Sequence, residues 1–297
     1  MQASTHIVVV NYNAGDWLTR SIGSALAHSS GLVTVVDNAS EDDSVDTADK
    51  QYSDARLQWV KNQDNRGFAA ANNQVLAELD ADFAVLLNPD CVINQDTLPI
   101  ILRAFAERPE MGLASCRILN ENGSLQPTCR RRFPTPWTAL VRMLQLHRVF
   151  PGNPKFQDFD YGGSVTGDEA LEYVEAVSGA FMVVRKSALQ QVGLLDEAYF
   201  MHCEDLDWCK RFELAGWRVG FVAAAAVTHA KGISSQSRPI AVLWTLHRGM
   251  VRFFDKFYQD QYSWWLRLVV KIGIAASFIG RSLLTLLRMT FNRGNRH

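Results

Sequence analysis

Four short, strongly apolar runs, separated by stretches of helical spacing, fill the first ninety residues. Residues 7–10, 32–36, 57–60 and 83–87 read as strands; residues 16–27, 44–52 and 67–79 read as the helices between them. A β-branched run that is apolar at every position fits a strand buried on both faces. Strand–helix–strand repetition then implies a parallel sheet with helical crossovers, so the expected class is α/β with a mostly parallel central sheet. Such sheets bind ligands beyond the carboxyl ends of their strands. The polar residues fall there: Asn11-Tyr12-Asn13, Asp37-Asn38-Ala39-Ser40, residues 62–67, and Asn88-Pro89-Asp90. Any one cluster is explained as a turn. Four in succession describe one crevice.

Beyond residue 96 the pattern changes. Residues 97–107, 186–192 and 204–215 have helical spacing, whereas 113–119, 174–184 and 219–227 read as strands. Residues 124–136 form a basic, Pro-containing loop with Arg130, Arg131 and Arg132, and 150–169 is a Gly-, Asp- and Pro-rich stretch suited to a mobile loop. With 297 residues, 47% hydrophobic and 21% charged, the chain is ordinary globular material. Thirty basic against 31 acidic residues give no reason to expect nucleic acid as partner of the whole chain. Five cysteines without a CxxC support neither a zinc ribbon nor a redox pair, and free thiols in a reducing cytosol are expected. The N-terminus has no basic n-region followed by an apolar core, so no secretory signal is expected. A Rossmann oxidoreductase is disfavoured because no GxGxxG follows the first strand.

The clusters resemble family 2 glycosyltransferases of GT-A fold, in particular the bacterial rhamnosyltransferase branch that builds surface polysaccharide. The matching stretches are Val8-Val-Val-Asn-Tyr-Asn13, Val35-Val-Asp-Asn-Ala-Ser40, Asn65-Arg-Gly-Phe-Ala69, Leu86-Leu-Asn-Pro-Asp90 and Ser178-Gly-Ala-Phe-Met182. To these is added the run from Gly193 to Trp208 that contains Cys203-Glu204-Asp205-Leu206-Asp207. The resemblance implies a Rossmann-like nucleotide-sugar-binding domain over 1–240. It implies inverting, metal-dependent transfer of a sugar from a nucleotide diphosphate to an acceptor hydroxyl. Asp90 stands where the family ligates Mg2+ or Mn2+, with Asn88 replacing the first acid of the motif, and His229 matches a position that completes the metal or diphosphate site. Asp205 would be the general base and Glu204 its helper. Asn11, Tyr12, Asn13, Asp37, Asn38, Asn65, Arg66 and Gly67 would hold the nucleotide together with Asn88. Ser178, Gly179, Ala180 and Trp208 would lie under the sugar and acceptor. Arg130–Arg132 meet phosphates or form a solvated face.

The donor implied is dTDP-L-rhamnose. A UDP-hexose or UDP-GlcNAc donor is the alternative, and a non-catalytic GT-A scaffold subunit is the alternative from another class. The retained Asp90, Glu204, Asp205 and His229 argue against the scaffold.

The last fifty residues carry nine basic groups against Asp255 and Asp260, a net charge of about +7, leaving about −8 on the rest. The longest charge-free run here is nine residues, 272–280, against the roughly 20 of a spanning helix, so no transmembrane span is expected. On a helix, Arg267, Lys271, Arg281 and Arg288 fall within an arc of about 100°, with Ile274 and Phe278 intruding on it. Gly273 and Gly280 offer points at which the helix splits. Residues 241–297 therefore read as a basic amphipathic membrane-association segment anchored by Trp264 and Trp265. The alternative is a helix packed on the body or in a dimer interface. An anionic membrane surface on the cytoplasmic side and a lipid-linked or lipopolysaccharide saccharide acceptor fit the first view.

Overall fold

The computed structural model describes residues 3–150, 153–156, 159–161, 171–230 and 239–294. Its first half follows the sequence pattern: β1 Thr5–Asn11, α1 Asp16–His28, β2 Leu32–Asp37, α2 Ser44–Gln51, β3 Leu57–Lys61, α3 Gly67–Leu76 and β4 Phe83–Leu87. There follow β5 Cys91–Ile93, α4 Thr97–Glu107, β6 Met111–Leu119, β7 Arg130–Arg131, α5 Pro136–Met143 and α6 Leu146–Val149. The remainder is β8 Leu171–Tyr173, β9 Ala176–Val177, β10 Phe181–Arg185, α7 Lys186–Val192, α8 Glu204–Leu214, β11 Arg218–His229, α9 Pro239–Tyr258 and α10 Trp264–Gly294.

The main sheet runs β3-β2-β1-β4-β10-β6-β11-β5. β3, β2, β1 and β4 are mutually parallel. β10 is antiparallel to both β4 and β6, and β11 runs parallel to β6. The carboxyl ends of β1, β2, β4 and β11 thus share one edge with the start of β10. Ile7, Val8, Val9, Val33 and Val35 are fully buried, as two-sided strands require. Each such side chain contributes about 1.5–3 kcal/mol.

Two sequence expectations are corrected. Residues 174–184 are not one strand: β9 and β10 are separated by a turn at Ser178–Ala180, because the chain leaves the small sheet with β7 and enters the main one. β5, α5 and α6 were not foreseen; β5 is only three residues long. The stretch 150–169 lies largely outside the described residues.

The C-terminal segment is also unlike its expectation. α9 inserts Phe253, Phe254 and Tyr258 into the main core, with Phe253 stacked on Phe133 at 6.1 Å. α10 is one uninterrupted helix through Gly273 and Gly280. Its stretch Trp264–Thr290 is long and apolar enough to cross a membrane by length and composition. Lys271 and Arg281 stand ten residues apart, so an apolar window wider than the nine-residue charge-free run still holds few charges.

The orientation of α10 matters more. Its inner stripe, Val270, Ile274 and Phe278, meets α9, with Phe278 edge-on to Trp244 at 5.5 Å and Lys271 paired to Asp255 at 2.9 Å. The side of α10 that carries Lys271 therefore faces α9. The apolar face, including Leu268, Ile272, Leu283 and Leu287, points away from α9 and is exposed.

Candidate active site

At the end of β1, Asn11 is fully buried, and its amide donates to Asp37 Oδ1 (2.9 Å), Ser40 Oγ (3.0 Å) and Ser44 Oγ (2.9 Å). Asp37 also accepts from the Ser40 backbone N–H and hydroxyl. This network fixes the carboxylate at the strand end, so Asn11 supports Asp37 from behind. Asn13 takes a left-handed backbone (φ 52°) and accepts from the Glu41 N–H. Tyr12 beside it is half-buried.

Asn38 donates to the Gly67 carbonyl (3.1 Å) and accepts from Asn62 (2.9 Å), tying the ends of β2 and β3 to the start of α3. Asn65 accepts from the Gly67 N–H. Gly67 has φ +83°, and a Cβ there would sit 2.4 Å from the Phe200 carbonyl oxygen, so only glycine fits. Arg66 is exposed and lies 3.9 Å from Asp64.

Beyond β4, Asn88 is half-buried and Asp90 buried. Asp90 Oδ1 lies 3.1 Å from His229 Nε2 at the end of β11. His229 Nδ1 faces Gln126 Oε1 at 3.2 Å, while the Gln126 amide donates to the His229 carbonyl. That amide orientation assigns the proton of a neutral imidazole to Nδ1, leaving the bare Nε2 opposite a carboxylate. Two acceptors this close are satisfied by a proton or by a cation between them. Neighbouring ligands of an octahedral Mg2+, each about 2.1 Å from the ion, lie about 3 Å apart, so this pair fits one corner of such a site. Gln126 orients the histidine from the second shell. Among the described residues no third His, Cys, Asp or Glu joins the pair.

The second centre is the start of α8. Asp205 Oδ2 is ion-paired with Arg131 and accepts from the Gly179 N–H at 3.0 Å. Arg131 also donates to the Val177 carbonyl. Burial opposes the charged guanidinium, but the facing Asp205 carboxylate outweighs it and raises the Arg131 pKa. Glu204 is buried and its Oε2 has no hydrogen-bond partner among the described residues. Burial, reinforced by the Asp205 charge, pushes its pKa up to about 8. The two neighbouring carboxyls thus differ: Asp205 is clamped by a cation, Glu204 holds its proton at neutral pH.

The turn into α8 is strained. His202 and Cys203 both have positive φ, 72° and 69°, and neither residue type announces it. The turn also reaches the strand-end crevice, since the Phe200 carbonyl accepts from the Phe68 N–H at 2.8 Å.

Gly179 and Ala180 join the two centres. Gly179 binds Asp205, while the Ala180 carbonyl accepts from the Asn88 N–H at 2.9 Å. A Cβ on Gly179 would come within 3.3 Å of Asp205 Cβ. Ser178 is half-buried beside them. Trp208 is placed differently from its sequence assignment: it is fully buried, donates to the Gly193 carbonyl and packs edge-on to Phe212, so it supports α8 and presents no face to an acceptor. Sequence reasoning missed Gln126, and left Arg131 within an undivided basic run. Arg130 pairs with Glu172 and Arg132 lies 4.0 Å over the Tyr161 ring, so neither forms a solvated face.

A polar strand-end crevice and two acidic centres joined by one glycine turn define a transferase site of GT-A architecture. The solved structures agree on the fold. GalNAc-T7 with UDP, GalNAc and Mn2+ superposes with a TM-score of 0.62 at 12% identity, over 87% of this chain and 48% of that one. The mannosyltransferase PcManGT from Pyrobaculum calidifontis, in complex with GDP-Man and Mn2+, gives 0.59 at 16% identity over 94% and 70%.

The chain belongs to the glycosyltransferase-like family 2, whose model matches residues 3–252, and it is a glycosyltransferase. It is 29% identical to the N-acetylglucosaminyl-diphospho-decaprenol L-rhamnosyltransferase of Mycobacterium tuberculosis (strain CDC 1551 / Oshkosh), over 98% of this chain and 95% of that one. It is 30% identical to rhamnosyltransferase WbbL of Escherichia coli (strain K12), over 55% and 60% of the respective chains.

Proposed function

We propose that this glycosyltransferase moves L-rhamnose from dTDP-L-rhamnose, with inversion, to a saccharide carried on a polyprenyl diphosphate at the cytoplasmic face of a bacterial membrane. The observation that carries the chemistry is the Gly179–Ala180 turn, which holds Asp205 on one side and the Asn88–Asp90 turn on the other. A proton acceptor and a cation-holding corner anchored on consecutive residues of one turn suit displacement at an anomeric carbon held between them. The near full-length likeness to the mycobacterial rhamnosyltransferase supports the donor and the lipid-linked acceptor.

In this mechanism Asp37, Asn38 and the Asn65–Gly67 loop hold the nucleotide, with Tyr12 and Asn13 at the same end. Asp90 and His229 hold a divalent cation, Mg2+ or Mn2+, which when bound neutralises the diphosphate leaving group. Asp205 takes the proton of the acceptor hydroxyl as that oxygen attacks, and the bond to the diphosphate oxygen breaks on the opposite face. Arg131 and the Gly179 N–H hold the carboxylate in place. Residues 1–240 form the catalytic unit, and 241–297 associate with the membrane, α9 being the part built into the body.

Calorimetry with dTDP-L-rhamnose and the corresponding UDP-sugars, in Mg2+ and then in EDTA, tests the donor. Metal-dependent preference for dTDP-L-rhamnose is expected, and preference for a UDP-sugar refutes it. Asp205→Asn is expected to abolish transfer with donor affinity within about threefold of wild type; a fully active variant removes Asp205 from the base role.

A further inference from the structure

Lys271 of α10 turns toward α9, where it meets a second basic stripe. Arg248, Arg252 and Lys256 recur at intervals of four on α9, and with Lys271 they line a cleft of about 990 Å³ between the two helices. Asp255 is the one acidic residue in that lining. Asp196 holds Arg252 and Lys256 at 2.8 Å from behind, and Asp255 holds Lys271. Arg248 is exposed and forms no ion pair among the described residues. The helices run antiparallel, as Asp255 meets Lys271 while Trp244 meets Phe278. The cleft therefore has a cationic end and an apolar end, the latter floored by Trp244 and Phe278.

Two helices that gather like charge into one cleft create a site for a concentrated anion. An apolar continuation along the same cleft asks for an anion carrying a hydrocarbon chain. The inner side of α9 packs on the catalytic turn: a Cβ at Gly249 would lie 3.0 Å from the His202 carbonyl oxygen, and Lys256 reaches Asp207 at 2.7 Å. One helix diameter, about 10 Å, thus separates the cleft from Glu204 and Asp205. The exposed apolar face of α10 lies on the side away from α9, where it can meet bilayer hydrocarbon.

We propose that the α9–α10 cleft binds the lipid carrier of the acceptor, taking its diphosphate at Arg248 and Lys271 and its first isoprene units against Trp244 and Phe278. The proposal rests on the lipid-linked acceptor given above. It assigns Lys271 of the basic arc to one headgroup, that of the substrate, in place of general attraction to anionic lipid.

The test uses the full chain with dTDP and Mg2+ saturating the donor site. Farnesyl diphosphate is titrated into wild type and Arg248→Gln/Lys271→Gln, with inorganic pyrophosphate and phosphatidylglycerol vesicles as separate probes. Expected are at least tenfold weaker farnesyl diphosphate binding in the variant, little binding of pyrophosphate to either protein, and vesicle binding changed less than twofold. Donor affinity should stay within about twofold of wild type. Equal farnesyl diphosphate affinity in the two proteins overturns the proposal. So does pyrophosphate binding as tight as farnesyl diphosphate, or a parallel tenfold loss of vesicle binding, which points to bulk anionic lipid. Transfer assays separate the two levels of inference. A variant that uses a polyprenyl-linked acceptor with unchanged KM removes the cleft alone. Wild type that uses unlipidated saccharide equally well removes the lipid-linked acceptor and the cleft with it.

Discussion

Glu204→Gln exchanges an ionisable carboxyl for an amide of the same shape in a buried site. The wild-type carboxyl is carried from an ordinary 4.5 to about 8, first by burial and then by the adjacent Asp205 charge. At about 1.4 kcal/mol per pKa unit, ionising Glu204 in the folded protein costs up to roughly 5 kcal/mol. Below about pH 4.5 the group is protonated in both folded and unfolded chains, and the penalty is absent. Between about 4.5 and 8 the unfolded chain releases the proton while the folded one keeps it, so stability falls as pH rises. Above about 8 the loss is complete. Glutamine does not titrate, so the variant should gain on wild type steadily across that window, by several kcal/mol at pH 8.5 relative to pH 5. His202, whose pKa is lowered by burial, titrates in both proteins and cancels in the difference. Urea denaturation followed by tryptophan fluorescence at pH 5, 7 and 8.5 measures the gap. A gap that is independent of pH, or that closes as pH rises, refutes the argument that Glu204 is protonated in the folded state.

Arg131→Met removes the cation from a mostly buried pair and leaves the Asp205 charge uncompensated, at a cost of about 3–5 kcal/mol in denaturation experiments. Its transfer activity should fall with that of Asp205→Asn, and a stable, active Arg131→Met would show that the pair is dispensable. His229→Ala should weaken dTDP binding at least tenfold in Mg2+ and little in EDTA; equal loss in both would make the residue structural. Deletion after residue 260 removes the exposed helix α10, so the protein should leave the membrane pellet in flotation assays, and continued flotation would place the anchor elsewhere.

The parallel half of the sheet was legible because two-sided burial writes an unbroken apolar run, and β1, β2 and β4 are such runs. The direction of β10 was not, since an apolar pattern carries no sign of orientation. The Ser178–Ala180 break hid for a related reason: small residues inside an apolar stretch look like more strand. Asp90 stood out in a polar cluster at a strand end, whereas His229 and Asp205 were singled out by the family resemblance. Their immediate partners were not, because Gln126 lies 103 residues from His229 and Arg131 lies 74 from Asp205. For α10 the helical period identified which residues share a face, yet it holds no information about what each face meets. The basic arc was assigned to lipid, and Ile274 and Phe278 looked like intruders; both are where α9 packs.

The reversed strand β10 has a consequence for how the chain comes to exist. β4 and β6 each pair on one side with β10, although β4 ends at Leu87 and β6 at Leu119. Until residues 181–185 have emerged from the ribosome, both strands present an open, apolar edge, the kind that recruits foreign strands. Closing the sheet then requires a pairing across nearly a hundred residues of chain, which belongs to the slow class of folding events. Chains truncated anywhere between β6 and β10 leave one edge of β4 and both edges of β6 unpaired, since β11 follows later still, and aggregation, with no soluble half-domain, is their expected fate.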